Sequence, residues 1–575
     1  MFDDRTRGVA ETASPGDKGI TRRAMLFRLG AGGLAVAGLP ALLTACGEGS
    51  GSGEAKKHTL RIGLTSEMDS LNPFVQQSAA AVIATHLMFP TLTRQEGSEF
   101  TLTPDLAERY AVSDDGKKIT FTLRTNGKWS DAKPITAEDV EFTINTLVRL
   151  KSSAAALLAQ YVVGITEAVA EDAKTLVVTY SKPIANALAL LSRVVILPKH
   201  VWTAPAAGDG AGLKSFTFNE KVVCGGQFVL EKYTPKQIVL LKEHRDWYGA
   251  KQSITTLGFL TFGSPDAMLK ALETSQIDAV ALLSPSAVGA GVDKLRTKNI
   301  KVEQAPGFVM NNLYFNVNPK KTKHRELLDP KVRKALSLAI DRERIVKVVL
   351  FEMGRPGSSL VYPAMGDWHD SSITPDPFDV AAANSILDDL GYKRGPDGIR
   401  IANSEPMSYT VNLASGLAGG SRIVQIISSG WEQVGVKVTS RTLDASAMID
   451  AISAPDGKYL TNDVAVWGFL PASPDPSAVL DHFITDSIGG FNNCHYSDPE
   501  YDRLYVEQNA TLDAAARREK VYQMQRRFFD ARAMLALCYV DALSASGSKF
   551  TGYHMSGFGP FNAISRDQFT DIRPA

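Results

Sequence analysis

Asp329-Pro330-Lys331-Val332-Arg333-Lys334-Ala335-Leu336-Ser337-Leu338-Ala339-Ile340-Asp341-Arg342 opens with proline at the first position of a helix, where its missing N–H is not needed. Val332, Leu336, Ala339 and Ile340 recur on one face, and the spacing predicts one helix running on through Asp341-Arg342-Glu343. A short strand, Leu313 to Asn318, precedes it. Val380 to Leu390 is a second amphipathic helix closed by Gly391, and Ile423 to Val434 a third closed by Gly435. Val436 to Thr439 then reads as a strand. Val464 to Trp467 is another, running into Gly468-Phe469-Leu470-Pro471-Ala472-Ser473-Pro474-Asp475-Pro476. Helices and strands in such succession predict an α/β layer, and a strand end backed by a stiff loop is where such layers place ligands.

The chain upstream is also mixed. Thr59 to Leu64 alternates polar and apolar residues as a half-buried strand does, then stops at the turn formers Ser66-Glu67-Met68-Asp69-Ser70-Leu71-Asn72-Pro73. Ile119 to Arg124 is a strand between the turns Asp114-Asp115-Gly116 and Asn126-Gly127. Thr136 and Asp139 fit a capping box, with Val140, Ile144 and Leu147 on one face of the helix that follows. Lys174 to Tyr180, Gln227 to Tyr233 and Gln237 to Leu241 read as strands, the last two joined by Thr234-Pro235-Lys236. No internal repeat is visible.

With 575 residues, 44% hydrophobic and 22% charged, the chain can bury a large core and is long enough for about three domains. Lys+Arg and Asp+Glu are equal at 62 each, so the basic footprint of a nucleic-acid binder is missing. The amino terminus is a targeting segment. Thr21-Arg22-Arg23 resembles a twin-arginine signal, the run Leu29 to Ala45 carries no charge, and Leu43-Thr44-Ala45-Cys46 resembles a bacterial lipobox. Cys46 is then the lipidated first residue of the mature chain, and Gly47-Glu48-Gly49-Ser50-Gly51-Ser52-Gly53-Glu54 is a flexible tether; a plain signal anchor with an incidental cysteine is the alternative. Without residues 1–45 the chain has 56 basic and 58 acidic residues, a formal charge of −2. No second apolar run is long enough to span a bilayer. Cys224, Cys494 and Cys538 remain, allowing at most one disulfide.

HExxH, P-loop and GxSxG motifs are all absent. Ser546-Gly547-Ser548-Lys549 fits SxxK without its KTG partner, and His244-Arg245-Asp246 echoes a kinase catalytic loop without the rest of a kinase. His482, Cys494 and His495 match no standard metal spacing. No acid pair or nucleophile and base pair stands out, which favours a binding protein over an enzyme and implies no cofactor.

Several stretches in one order along the mature chain resemble the peptide-type solute-binding lipoproteins of ABC importers, solute-binding protein family 5. Asn126-Gly127-Lys128-Trp129-Ser130-Asp131-Ala132-Lys133-Pro134-Ile135-Thr136-Ala137-Glu138-Asp139-Val140 is similar to its "kWsDGxPvTAeDv" signature. Val222-Val223-Cys224-Gly225-Gly226-Gln227-Phe228 is like "PVGTGPY", with Cys224 where glycine is usual, and Glu243 to Gly249 is like "eRNpdYWgg". Ala271 to Asp278 resembles "aLxsGeiD", Asp329 to Arg342 resembles "dvrVRqALxyAiDR", and Tyr496 to Leu504 resembles "ysnpevDkLl".

That resemblance implies a two-lobed, periplasmic-binding-protein-like α/β fold of class II with an extra subdomain and a ligand cleft between the lobes. Residues 58–95, 198–300 and 540–575 would form lobe I, 96–197 its appended subdomain, and 301–539 lobe II, after a 1–45 leader and a 46–57 tether. The implied function is capture of peptides or similar small polar solutes and delivery to a membrane permease, with ATP hydrolysis on separate subunits. The protein would be monomeric and lipid-anchored on the extracytoplasmic face of the membrane. Oligosaccharide, nickel chelate or opine are alternative cargoes; an extracellular hydrolase or a non-transport sensor or chaperone are rival functions.

The ligand-binding candidates are Ser66, Glu67, Met68, Asp69, Asn312, Tyr362, Trp467, Gly468, Phe469 and Leu470. In peptide-binding members a carboxylate holds the ligand's α-ammonium three residues after a tryptophan, in a pattern like "WxAD". Here Leu470 occupies that position, and the first acid beyond it is Asp475. Either Glu67 or Asp69 replaces the anchor, or the ligand lacks that ammonium, because an unpaired buried ammonium is costly. Trp467, Phe469, Tyr362 and Trp368 are candidate stacking faces for sugars, with ordinary core packing as their alternative.

Overall fold

Leu60 and Ile62, the apolar positions of the first alternating segment, are fully buried in a strand at Thr59–Leu64. The computed structural model describes residues 58–217, 222–289, 291–453, 458–471, 473–562 and 567–575; the leader, Cys46 and the tether lie outside them. The strands that frame the site are β1 (Thr59–Leu64), β2 (Ala107–Val112), β3 (Lys118–Leu123), β4 (Ile165–Ala170), β5 (Thr175–Tyr180), β6 (Phe228–Thr234), β7 (Ile238–Glu243) and β8 (Thr256–Thr261). They continue with β9 (Ala279–Leu283), β10 (Lys301–Phe315), β11 (Gly354–Pro356), β12 (Ser408–Ala414), β13 (Lys437–Leu443), β14 (Val464–Phe469) and β15 (Met534–Ser546).

One sheet runs β13-β12-β14-β10-β15-β9-β1-β8-β7-β6, with β11 added on β15, and a separate antiparallel sheet runs β2-β3-β5-β4. β1 is parallel to β8 and β9, and β12 is parallel to β13 and β14. Between these parallel groups stand the long antiparallel strands β10 and β15. The Lys301–Ala305 end of β10 pairs with β15 where β15 also borders β9, whereas Met310–Phe315 pairs with β14. Register between β10 and β15 breaks from Ala305 to Val309. Pro306 has no N–H for the ladder, and the Phe308 N–H turns to Gly557 O at 3.2 Å.

Burial divides the molecule at the same place. One hydrophobic cluster draws on residues between Leu60 and Ala281 and between Phe550 and Ile572, whereas two others lie between Phe308 and Val540, with Phe100 joining them. The protein is thus a two-lobed α/β structure whose lobes are crossed by β10 and β15.

The tryptophan signature serves packing. Trp129 is buried and its Nε1–H donates to Asp139 Oδ2 at 3.2 Å, while Thr136 and Asp139 form the capping box of helix Ala137–Leu150. Asp139 Oδ1 also accepts the Lys199 N–H at 2.8 Å. Helices Val380–Asp389 and Gly420–Gln433 are followed by Gly391 at φ 80° and Gly435 at φ 77°, left-handed as anticipated.

Two expectations need correction. The strand at Leu313 to Asn318 is the end of β10, which begins at Lys301. The single helix through Glu343 is two, Pro330–Leu338 and Arg342–Val349, because the Asp341 side chain accepts the Arg344 N–H at 2.8 Å and caps a new start. Cys224, Cys494 and Cys538 are free and buried, and burial pushes each thiol up to about 12. Among the described residues no helix is long and apolar enough to cross a membrane.

Candidate functional site

The parallel strands β1, β9, β12 and β14 end at Leu64, Leu283, Ala414 and Phe469, and ligands of open α/β sheets bind beyond such carboxyl ends. After β1, Ser66 is exposed and Glu67 pairs with Lys236 Nζ at 3.1 Å. Met68 is buried, its carbonyl accepting the Tyr233 hydroxyl at 3.4 Å. Asp69 accepts the backbone N–H of Gln77 at 2.6 Å and of Ser78 at 3.2 Å. Partial burial raises the Asp69 carboxyl, but the Ser78 side chain and these two N–H groups outweigh it and hold it below the usual carboxylate range. Asp69 therefore fastens the loop that leads into helix Ala79–Met88. Asp69→Ala is expected to lower stability by about 1 kcal/mol in urea unfolding; an unchanged midpoint would refute that role.

On the other lobe, Asn312 faces Trp467 across β10 and β14. Its Nδ2 donates to the Tyr314 hydroxyl at 3.1 Å, and its Oδ1 is buried without a partner among the described residues. Tyr362 is fully buried and donates its hydroxyl to Phe469 O at 3.0 Å. Trp368 lies over the Arg517 guanidinium at 4.8 Å. Tyr362 is part of the core, whereas Trp368, Trp467, Gly468 and Phe469 are half-buried and Leu470 is exposed. Asp475, the first acid beyond Leu470, is held by Arg517 through Nη1 and Nη2, each at 2.8 Å.

His482, Cys494 and His495 do not converge: His482 Nδ1 is 2.6 Å from Asp481 Oδ1, Cys494 lies beside Asn492, and His495 Nε2 is 2.8 Å from Ile452 O. No group of three metal-ligating side chains occurs among the described residues.

A file of rings leads from the lobe crossing to the cleft. Phe308 and Tyr362 are 6.0 Å apart, Tyr362 and Phe469 6.5 Å, Phe469 and His482 4.6 Å, and His482 and Phe491 4.7 Å. Phe491 is 71% exposed and forms one wall of a cavity of about 550 Å³. Its other walls are Phe74, Gln76 and Gln77 after β1, His86 from helix Ala79–Met88, Leu147, Leu157 and Tyr161 beside the four-stranded sheet, and Arg193. A second cavity of about 400 Å³ lies between Ser286–Gly289, after β9, and the loop after β12.

Among the predicted candidates, only Phe469 reaches this ring file from a half-exposed position. Arg193, Tyr161 and Phe491 were not anticipated. Arg193 did carry a signal: it is the one charge in the apolar run Ala187-Leu188-Ala189-Leu190-Leu191-Ser192-Arg193-Val194-Val195-Ile196-Leu197.

The family described as bacterial extracellular solute-binding proteins, family 5 Middle, matches residues 101–491. "Protein XP55" of Streptomyces lividans is 25% identical over 555 residues, 95% of each chain. "Di/tripeptide-binding protein 2" of Pseudomonas aeruginosa (strain UCBPP-PA14) is 22% identical over 529 residues, 88% of this chain and 93% of that one. The periplasmic binding protein DppA of Helicobacter pylori, solved with the peptide STSA, superposes with a TM-score of 0.71 at 19% identity, covering 90% of this chain and 98% of its own. The two-lobed fold and the match of the family model over residues 101–491 agree, and the chain belongs to the bacterial extracellular solute-binding proteins of family 5.

Proposed function

We propose that this protein is the extracytoplasmic binding component of an ABC importer, capturing peptides or similar small polar solutes by lobe closure and delivering them to a membrane permease. It acts as a monomer without catalysis, held on the outer face of the membrane by a lipid on Cys46, with separate ATPase subunits. In this reading residues 58–95, 198–300 and 540–575 are lobe I, 96–197 its subdomain and 301–539 lobe II. Residues 1–45 are a cleaved leader and 46–57 the tether.

The observation that carries the reading is the cavity of about 550 Å³ with Phe491 on one side and the loop after β1 on the other. A pocket with walls from both lobes binds its occupant best when they are together, so ligand selects the closed form that a permease can recognise. The names of the Pseudomonas and Helicobacter relatives favour peptides as the cargo.

The test is thermal unfolding of the chain from residue 54 onward, which keeps the compact body Lys57–Ala575. It would be read against short peptides, amino-blocked peptides, oligosaccharides and nickel chelates. A true ligand at 100 times its dissociation constant is expected to add about 2.7 kcal/mol of stability. A midpoint that no class moves would overturn the reading.

A further inference from the structure

Arg193 lines the larger cavity and forms no ion pair among the described residues. Arg193 Nε and Nη1 are buried with no hydrogen-bond acceptor among the described residues. No carboxylate lines the cavity among those residues, and Glu67, Asp69 and Asp475 are engaged elsewhere. Glu67 meets Lys236, Asp69 accepts two backbone N–H groups, and Asp475 is clamped by Arg517. The rest of the wall is largely apolar, with Phe74, Leu147, Leu157 and Phe491, and its other hydrogen-bonding groups include the amides of Gln76 and Gln77.

We propose that this cavity takes an anionic solute, a carboxylate on an apolar body, with Arg193 as its anchor and no ammonium group required. The inference rests on the reading of the cleft as a solute site and narrows its cargo. A guanidinium presents parallel N–H donors in a fixed fork that matches the two oxygens of a carboxylate, and a charge-assisted pair of this kind is stronger than a neutral hydrogen bond. Arg193 is half-buried, and its Nε and Nη1 are shielded with no protein acceptor among the described residues, so a bound anion would supply the acceptor they lack. An incoming ammonium would meet a like charge instead, with no carboxylate in the wall to offset it among the described residues. The apolar wall then sorts carboxylates by the body they carry, because burial of that body adds to affinity.

The probes are phenylalanyl-leucine with both ends free, its N-acetyl form and its carboxamide, titrated calorimetrically into the protein and into Arg193→Gln and Arg193→Lys variants. The N-acetyl acid is expected to bind within about threefold of the free dipeptide, and the carboxamide at least tenfold more weakly. Arg193→Gln is expected to erase the acid-over-amide preference, and Arg193→Lys to keep part of it. The ligand-free Arg193→Gln protein is expected to unfold at an unchanged or higher temperature, since an unpartnered cation is removed; a clear fall would assign Arg193 a structural role and overturn the proposal. Equal binding of acid and amide, loss of binding on acetylation, or a preference that survives in Arg193→Gln would each overturn it while leaving solute binding intact. If none of the three binds but another class in the panel above does, the inference falls and the functional reading stands. If nothing in either set binds, both fall.

Discussion

Arg517→Met is expected to destabilise the protein by about 3–5 kcal/mol, because it leaves a buried carboxylate without its cation. The side chains of Arg517 and Asp475 are 6% and 10% exposed. Every guanidinium nitrogen is engaged: Nε donates to Gln508 Oε1 at 3.0 Å, Nη1 and Nη2 grip Asp475, Nη2 also reaches Ser477 Oγ at 3.0 Å, and Trp368 covers its face. Asp475 additionally accepts the Ser477 N–H at 2.9 Å and the Asn186 amide at 3.1 Å, so it ties the loop after β14 to the segment following the four-stranded sheet. Burial by itself raises the Asp475 carboxyl, but the charge and hydrogen bonds of Arg517, with those of Ser477, outweigh it and hold it below the usual range. The stability this carboxylate contributes is therefore present above its unfolded value, about 4, and is lost as pH falls through its lower folded value. Adding Asp475→Asn to Arg517→Met is expected to recover most of the loss. Urea unfolding near neutral pH decides the matter: a loss under about 1 kcal/mol in the single variant would show that the carboxylate finds water or another donor.

Gly307→Ala is expected to cost about 1–3 kcal/mol and to weaken the stabilisation given by ligand. An added Cβ would stand 2.2 Å from Val540 O and 2.8 Å from Ala542 N, atoms of the β15 backbone that cannot rotate away as a side chain would. The strands must part to admit it, at the register break where the chain passes from one lobe to the other. If the lobes close over a ligand as proposed, a change at this crossing is expected to act on closure as well as on folding. Unfolding with and without ligand, together with small-angle scattering, separates the two effects. Wild-type stability and an unaltered ligand response would mean that the strands give way easily at this point.

Much of the layer order was legible in linear spacing. Alternation exposed β1 and β3, and turn residues bounded β6 and β7, because a strand with one wet face must alternate. β15 escaped for the opposite reason: every residue from Met534 to Ser546 is buried, so no polar period marks it. β10 escaped in part because Pro306 and Gly307 look like a strand end, whereas the paired β15 carries the strand across them. The helix beginning at Pro330 was extended too far because Ile340 keeps the apolar period past the point where Asp341 starts a second helix.

Linear order was enough to point to the family, through blocks such as Trp129 to Asp139 whose residues pack and cap together, and it raised the expectation that Leu470 stands where an acid is usual. Both depend on which side chain follows which, and a linear order contains that. Only the tertiary structure decided which charges are satisfied. Glu67 and Asp69 looked alike as candidate anchors until Lys236 and the Gln77 and Ser78 N–H groups were seen to hold them. Arg193 stood out in the sequence as the one charge of an apolar run, but linear order did not show that it lines a cavity together with Phe74, Leu147, Leu157 and Phe491. Whether a charge finds an acceptor depends on every segment folded around it, and that is a property of three-dimensional packing.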